Sequence, residues 1–491
     1  MRKIWLLLAL LTLCLTCAGA EEPVTYTCGD YSYQLLEDGN AGIVACSSTD
    51  FRIVIPEKLD GRTVTAIGSD AFRDRPLLMS VTLPESLTTL EANPFVGCPM
   101  LTAIRISPDN PHFVVYHGML FAREGKRLIC YPAGMSAGSC TIPEGIAEIG
   151  PGAFSGCTAL ARVSFPDSVK RIGAGAFEGC TNLWDIRLPG GLTSIGRAAF
   201  SGCTLLLSVR LPDSLTDIGS QAFAGCVELQ YVVLPAGVRS INAGTFMGCA
   251  GLTSITLPEE LEDIGNDAFN GCAALKEITL PGKVQRIGDN AFSGCKALTY
   301  IAIPEGVSII SEGAFSGCTA LRRVVLPEKL KRIENAAFSG CTALENLEIP
   351  AAVTLIGSYS FSDCAMLRTV TLPAGLERIP AGAFSGCCYL EEITLPAALS
   401  YIGSRAFSNC RSLTAIVLPE GLISMSNEVF SECYNLMDVT LPGTIERIGV
   451  DAFEDCLPTL TFTVPRGSWA FTWCMENDKA CVYPDSMDWL P

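Results

Sequence analysis

The chain has 491 residues, of which 49% are hydrophobic, and its formal charge is −17 at pH 7. Such an acidic surface repels nucleic acid and anionic lipid, so we expect neither as a partner. With only two histidines, His112 and His117, the chain has little material for histidine-based catalysis or metal binding.

Residues 1–20 have the three regions of a secretory signal peptide: a basic pair, an apolar run and an A-x-A cleavage site that ends at Ala20. We therefore predict that the protein is exported, with cleavage after Ala20, and is secreted or held at the cell surface. A lipoprotein is the alternative, but neither Cys14 nor Cys17 follows the small residue that lipidation requires. No later apolar run reaches the length of about 18 residues that a transmembrane helix needs.

Residues 21–55 are predicted to form an N-terminal β-hairpin cap, because two short apolar segments flank the turn residues 37–40. Residues 56–106 contain two repeat units, of which the first is five residues longer than the later ones. Residues 107–142 interrupt the repeat with several turns and three short apolar runs. This segment is predicted to be a β-hairpin island between repeats.

Fourteen units of 23 residues occupy residues 143–464 without an insertion, and each begins with a proline. A fixed period of this length predicts a stacked repeat fold, a solenoid. The segment before each proline, L-x-x-[IV]-x-[LF], alternates as a β-strand does. Parallel strands from successive units would lie about 4.8 Å apart, so sixteen units predict a sheet about 75 Å long.

Two columns of the aligned units are almost invariant within the chain. Phenylalanine occupies one column in all fourteen units, and isoleucine occupies another with the single exception of Met425. Glycine follows the isoleucine in nine units, and Pro380 takes that place in another. Because proline is restricted to φ near about −65°, we attribute this glycine column to close backbone approach and not to positive φ.

The pattern L-x-x-I-x-L-P-x-x-[LVI]-x-x-I-G-x-x-A-F-x-G-C resembles the BspA-like (treponemal-type) leucine-rich repeat. The segments G-M-L-F and L-I-C-Y-P of the island and the ending V-P-R-G-S-W-A are similar to segments of the same family, and the resemblance covers nearly all of residues 28–484. It implies a leucine-rich-repeat horseshoe, with a parallel β-sheet on its concave face and short turns or helical segments on its convex face. Members are exported surface proteins implicated in adhesion, and no catalytic residues are known for the repeat.

Fifteen of the 22 cysteines in the mature chain share one column, at Cys98 and then every 23 residues from Cys157 to Cys456. The mature chain has no C-x-x-C pair, so the column lacks the ligand clustering of a zinc site. Neighbouring cysteines in register would point the same way, which suits a disulfide dihedral poorly. Free cysteine packs as a small hydrophobic residue, so we predict a ladder of buried free thiols.

Residues 465–491 are predicted to form a C-terminal cap, with a helix capped by Ser468 and ending at Glu476, followed by a strand at 480–483. Both caps contain cysteines outside the repeat column. The candidate disulfides are Cys28 with Cys46 and Cys474 with Cys481.

Two side chains of each predicted strand should face outward, and arginine and tyrosine among them are the residue types favoured at interface hot spots. The alternative is an ordinary solvated sheet face, with the threonines that strands prefer. The candidate partner-binding residues are Arg162, Arg187, Arg210, Tyr231, Tyr300 and Arg323.

The sequence contains no nucleophile-elbow, phosphate-loop, zinc-protease or calcium-loop motif. We therefore expect that the protein is not an enzyme and binds no cofactor or metal. The predicted function is therefore that of an exported binding protein, which holds a protein or glycan on the concave sheet or on the island. The alternative is a structural scaffold that self-associates at the cell surface.

Overall fold

The computed structural model describes residues 23–484, and they form a β-solenoid of stacked parallel strands with almost no helix. The predicted signal peptide and residues 485–491 of the predicted C-terminal cap lie outside the described residues. Each 23-residue unit makes one turn of the solenoid, and the units contribute strands to two parallel ladders, which we call ladder A and ladder B. In three of the units the ladder A segment, at 208–210, 277–279 and 392–394, is not a regular strand. We call one strand position in a ladder a rung.

Ladder A contains the predicted strand, a three-residue segment that ends two residues before the next proline. Its middle side chain is buried and the two flanking side chains face outward, as the alternating pattern predicts. The strands of ladder A are Arg52–Val54, Ser80–Thr82, Ala103–Arg105, Ser139–Thr141, Arg162–Ser164, Asp185–Arg187, Tyr231–Val233, Ser254–Thr256, Tyr300–Ala302, Arg323–Val325, Asn346–Glu348, Thr369–Thr371, Ala415–Val417, Asp438–Thr440, Thr461–Thr463 and Ala480–Val482.

Ladder B was not identified from the sequence. Its two-residue strands end on the isoleucine column, so the isoleucine side chains point into the core while the preceding residue faces outward. The strands of ladder B in the fourteen units are Glu148–Ile149, Arg171–Ile172, Ser194–Ile195, Asp217–Ile218, Ser240–Ile241, Asp263–Ile264, Arg286–Ile287, Ile309–Ile310, Arg332–Ile333, Leu355–Ile356, Arg378–Ile379, Tyr401–Ile402, Ser424–Met425 and Arg447–Ile448.

The two ends of the solenoid have different caps. At the N-terminus three antiparallel strands lead into the parallel strand Arg62–Ile67, which pairs with Thr89–Leu90 in the first rungs of ladder B. At the C-terminus the helix Trp469–Glu476 is capped by the Ser468 hydroxyl, which accepts a hydrogen bond from the Phe471 N–H. The remaining strands of the N-terminal region are Thr25–Cys28, Tyr31–Leu35, Ala41–Cys46 and Lys58–Leu59.

The island is built into the stack and is not attached to its side. Its strands Phe113–Tyr116 and Met119–Ala122 form a hairpin, and a 3₁₀ turn at Glu124–Lys126 leads to the third strand, Arg127–Cys130. That third strand pairs in parallel with Glu148–Ile149 and so begins the second part of ladder B.

The buried core is made of columns that repeat from rung to rung. From Phe154 to Phe453 the phenylalanine rings stack with centroids 4.8–5.6 Å apart and planes within 2–12° of parallel. The Tyr131 ring of the island lies against Phe154 at 5.1 Å and starts this stack. The segments between ladder B and ladder A run through consecutive turns, which position the rings inward.

The cysteine column is a ladder of buried free thiols, as predicted. From Cys180 to Cys456 each thiol donates a hydrogen bond to the phenylalanine carbonyl of the preceding unit, with Sγ–O distances of 3.1–3.4 Å. Burial raises the pKa of Cys180 and Cys249 to about 12. These thiols are therefore protonated and unreactive near neutral pH.

The glycine column after the isoleucine has the cause predicted for it. Gly173 does not have positive φ, and a Cβ there would come within 2.6 Å of the backbone nitrogen of Pro151 on the preceding turn. Positive φ occurs at other places in the unit, such as Gly202 with φ of 71° and Asp363 with φ of 58°. Close approach between successive turns thus explains the glycine column that follows the isoleucine.

Candidate binding face

The outward side chains of ladder A form the candidate site, because in the fourteen 23-residue units each of its regular strands presents two of them at the surface. Of the six residues predicted, four lie together on consecutive rungs. The register aligns two columns, Arg162–Asp185–Ser208–Tyr231 and Ser164–Arg187–Arg210–Val233. We call these eight residues, together with Trp184 and Leu207, the arginine face.

The other two predicted residues are neighbours in a separate place. Tyr300 and Arg323 pair across adjacent rungs. The rungs that carry Ser254 and Glu277 separate them from Tyr231, so at about 4.8 Å per rung the two groups lie on the order of 14 Å apart. The six residues are therefore two groups on one face.

Trp184 is a member of the arginine face that sequence analysis missed. The guanidinium carbon of Arg162 lies 4.3 Å from the centre of the Trp184 ring, which is cation–π geometry. The Arg162 Nε also lies 3.7 Å from Asp185 Oδ2, so the tryptophan and the aspartate together hold this arginine. Trp184 directly precedes its strand, and a tryptophan in a column otherwise occupied by small, aliphatic or polar residues was the available signal.

An open cleft crosses the arginine face at one of the places where ladder A lacks a regular strand. Residues 208–210 make only isolated bridges to the neighbouring rungs and do not form a regular strand. The cleft has a volume of about 760 Å³ and lies between two successive turns of the solenoid. Its polar lining residues include Asp185, Arg187, Ser208, Arg210 and Asp213.

Two arginines of this face have no ionic partner. Within residues 23–484, neither Arg187 nor Arg210 forms a salt bridge, although they are register neighbours and both are exposed. Some charged residues on or directly beside ladder B do pair across adjacent rungs, as Arg162 and Asp185 do on ladder A. These salt bridges include Arg171–Glu148 at 2.6 Å, Arg239–Glu262 at 2.7 Å and Arg286–Asp263 at 3.2 Å.

The island, which was the second predicted binding region, has a smaller cleft of about 330 Å³ against the first of the fourteen repeats. Val114, Phe121 and Ile146 make its apolar wall, and Arg123 and Lys126 lie at its edge. The described part of the chain contains no cluster of three or more residues arranged to hold a metal ion. None of its helices is long and apolar enough to cross a membrane.

The cysteines of the candidate disulfides are free thiols in the structure. Cys28 and Cys46 pair with opposite sides of Tyr31, so about two strand spacings, roughly 9.6 Å, separate them. Because a disulfide needs Cα atoms within about 7 Å, this register disfavours that bond. The Cys474 side chain instead interacts with that of Cys481, and a bond between these two stays a prediction.

The stacked parallel ladders and their exposed sheet face define a leucine-rich-repeat solenoid. The family model described as BspA type leucine rich repeat region matches residues 51–116, 130–252, 239–368 and 354–476, so the chain belongs to that family. The family resemblance drawn from the repeat motif is thereby confirmed. No match was found among curated proteins.

Similar solved structures come from several bacteria. A leucine-rich repeat protein from Bacteroides ovatus is 28% identical, with a TM-score of 0.66 over 76% of this chain and 97% of that one. A leucine rich cell surface protein from Faecalibacterium prausnitzii is 24% identical, with a TM-score of 0.42 over 92% and 97% of the two chains. The leucine rich repeat protein of T. pallidum is 28% identical, with a TM-score of 0.27 over 51% and 90%. The first of these supports the predicted fold class.

Proposed function

We propose that this protein is an exported, non-enzymatic binding protein that holds a protein or glycan on the ladder A face. The observation that carries the proposal is the arginine face, where two unpaired arginines line an open cleft beside an exposed tyrosine and an arginine–tryptophan pair. Arginine, tyrosine and tryptophan are the residue types that dominate interface energetics. Membership of a repeat family implicated in adhesion agrees with this role.

The buried cysteines of the core are not suited to nucleophilic catalysis. A nucleophilic cysteine needs an accessible thiolate with a lowered pKa. Here burial raises the pKa of Cys140 and Cys318 to about 12, and Cys203 is buried with its pKa raised well above its ordinary value. These thiols pack the core and cannot act as nucleophiles in the folded protein.

The test is an array of extracellular-matrix proteins and glycans, probed with the mature chain of residues 21–491. We expect at least one ligand to bind, and we expect the double variant Arg187→Glu/Arg210→Glu to lose that binding. The matched control is Arg286→Glu, because Arg286 is an exposed ladder B arginine paired with Asp263. An empty array, or binding that the double variant leaves intact, would contradict the proposal.

Self-association is the second candidate function, and the ends of ladder A favour it. Within the described residues, Arg52–Val54 pairs on one side only, and Ala480–Val482 likewise pairs with one neighbour. Phe51 and Val54 are 57% and 72% exposed beside the first open edge. Because open strand edges can pair with another chain, head-to-tail stacking would continue the ladder. Light scattering that shows only monomer at high concentration would exclude it.

A further inference from the structure

We infer that the arginine face binds an acidic, partly apolar segment of another protein. In this arrangement carboxylates of the partner contact Arg187 and Arg210, and apolar side chains of the partner pack on Trp184, Leu207 and Tyr231. This inference rests on the proposed binding function and specifies the chemical class of the partner.

The first argument comes from the two unpaired arginines. Arg187 and Arg210 occupy the same column on adjacent rungs, so their backbones are about 4.8 Å apart. Lys170 adds a third cation nearby. Its Nζ lies 2.1 Å from the position that a Cβ on Gly191 would take, and Gly191 follows the cleft residue Gly190. Guanidinium groups bind carboxylates in bidentate pairs, so this spacing suits successive acidic groups on an extended partner.

The charge distribution along ladder A places an acidic partner at this end of the face. We compared the two outward residues of each rung and the residue directly before them. On the four rungs of the arginine face these positions carry three arginines and one aspartate, which gives +2. On the eleven rungs after it they carry five basic and six acidic residues, which gives −1: Lys276, Arg322, Arg323, Arg368 and Lys479 against Glu277, Glu345, Glu348, Glu391, Glu392 and Asp438.

Apolar exposure favours a protein partner over an acidic glycan. Beside the arginines, Trp184 is 39%, Leu207 43%, Tyr231 54% and Val233 57% exposed. Aromatic rings and arginines serve sugars and proteins alike, but exposed leucine and valine gain free energy only by contact with apolar groups. A segment that alternates acidic and apolar side chains satisfies both parts of the face.

Two carboxylates on the cleft wall limit the fit. Asp185 is already held by Arg162 at 3.7 Å and so leaves Arg187 free for a partner. Asp213 also lines the cleft, and its carboxylate repels a further carboxylate nearby. The partner's acidic residues are therefore confined to the neighbourhood of Arg187 and Arg210.

The experiment uses fluorescence anisotropy with the mature chain and three probes. The first is a labelled peptide in which glutamates alternate with leucine and phenylalanine, the second is the same peptide with glutamine for glutamate, and the third is labelled chondroitin sulfate. We expect the glutamate peptide to bind best, and we expect Arg187→Glu/Arg210→Glu to weaken it at least about tenfold. Trp184→Ala should weaken both peptides, because it removes apolar contact.

Controls separate failure of this inference from failure of the proposed function. Arg286→Glu should leave the peptide affinity unchanged, and Arg187→Gln/Arg210→Gln replaces the charge-reversed variant if that variant does not fold. Equal binding of the two peptides, or insensitivity to Arg187 and Arg210, would overturn the inference. Chondroitin sulfate bound better than the peptide overturns the protein partner but keeps the binding function. If no probe binds while the array is positive, this partner class is wrong and the proposed function stands.

Discussion

The interior of the solenoid and its arginine face follow opposite rules, although the same strands build both. Inside, the same cysteine and phenylalanine contacts recur on every turn from Cys180 to Phe453. Outside, four consecutive rungs carry side chains that the other rungs of ladder A do not repeat in this combination. In a repeat protein stability is a sum over neighbouring units, so a uniform interior distributes stability along the stack. A feature confined to a few rungs therefore contributes little to folding and is free to serve binding.

The largest effect should come from raising the pH, because this ionises the buried thiols of the interior. Burial raises the pKa of Cys180, Cys249, Cys318 and Cys364 to about 12 from an ordinary 9.0. The unfolded chain ionises these thiols near pH 9, whereas the folded chain keeps them protonated. Their contribution to stability is therefore complete below pH 9 and is lost as the pH rises from 9 toward 12, by about 1.4 kcal/mol per thiol for each pH unit.

The urea midpoint measured at pH 8 and at pH 10 checks this, and a large decrease is expected. Thiol titration at pH 8 is the companion measurement. Native protein should expose few reactive thiols and denatured protein nearly all of them. An unchanged midpoint, or a fully reactive native protein, would show that the cysteine column is not buried as described.

Truncation of one ring in the middle of the phenylalanine stack is the next largest effect. Phe292 is fully buried and stacks on Phe269 and Phe315 at 5.2 and 5.4 Å. Phe292→Ala should cost about 3–5 kcal/mol of unfolding free energy, measured by urea denaturation. Phe292→Leu is the matched control and should cost clearly less, because it fills most of the space. A small loss of unfolding free energy in the alanine variant would mean that the phenylalanine stack does not stabilise the core.

The third effect on stability concerns one salt bridge of ladder B, between Arg171 and Glu148. Glu148→Gln breaks the 2.6 Å salt bridge to Arg171, whose side chain is 58% exposed. Because solvent screens such a pair, the expected loss in unfolding free energy is only about 0–1 kcal/mol and should shrink further in high salt. A loss of several kcal/mol, independent of salt, would contradict this description.

The smallest effect on stability should come from the arginine face itself. Arg187 and Arg210 are exposed and make no salt bridge within residues 23–484. Arg187→Glu/Arg210→Glu should therefore change unfolding free energy by no more than about 0.5 kcal/mol, while it abolishes ligand binding. A melting temperature that falls together with binding would show that the two regions are not separable in this way.

Much of the fold could be predicted because each inward-facing position occurs in fourteen aligned units of the repeat. The strand before the proline, the buried thiols and the close approach at Gly173 all follow from columns that a single residue type dominates. Ladder B escaped prediction because two-residue strands are too short to show alternation. The contact of Arg162 with Trp184 depends on which side chains meet across rungs, and periodicity carries no information on that.

The island also sets a mechanical boundary in the molecule. Neither ladder is continuous across it, since Ala103–Arg105 and Thr89–Leu90 are the last rungs before it, and the buried core divides there into two clusters. Individual hydrogen bonds span the joint, among them those from the Arg127 side chain to the Leu90 carbonyl at 2.9 Å, from the Asn93 side chain to the Gly152 carbonyl at 2.7 Å and from the Gly134 N–H to the Leu101 carbonyl at 2.8 Å. Under tension applied at its ends, the protein should therefore extend in two separate events, one for each side of the island.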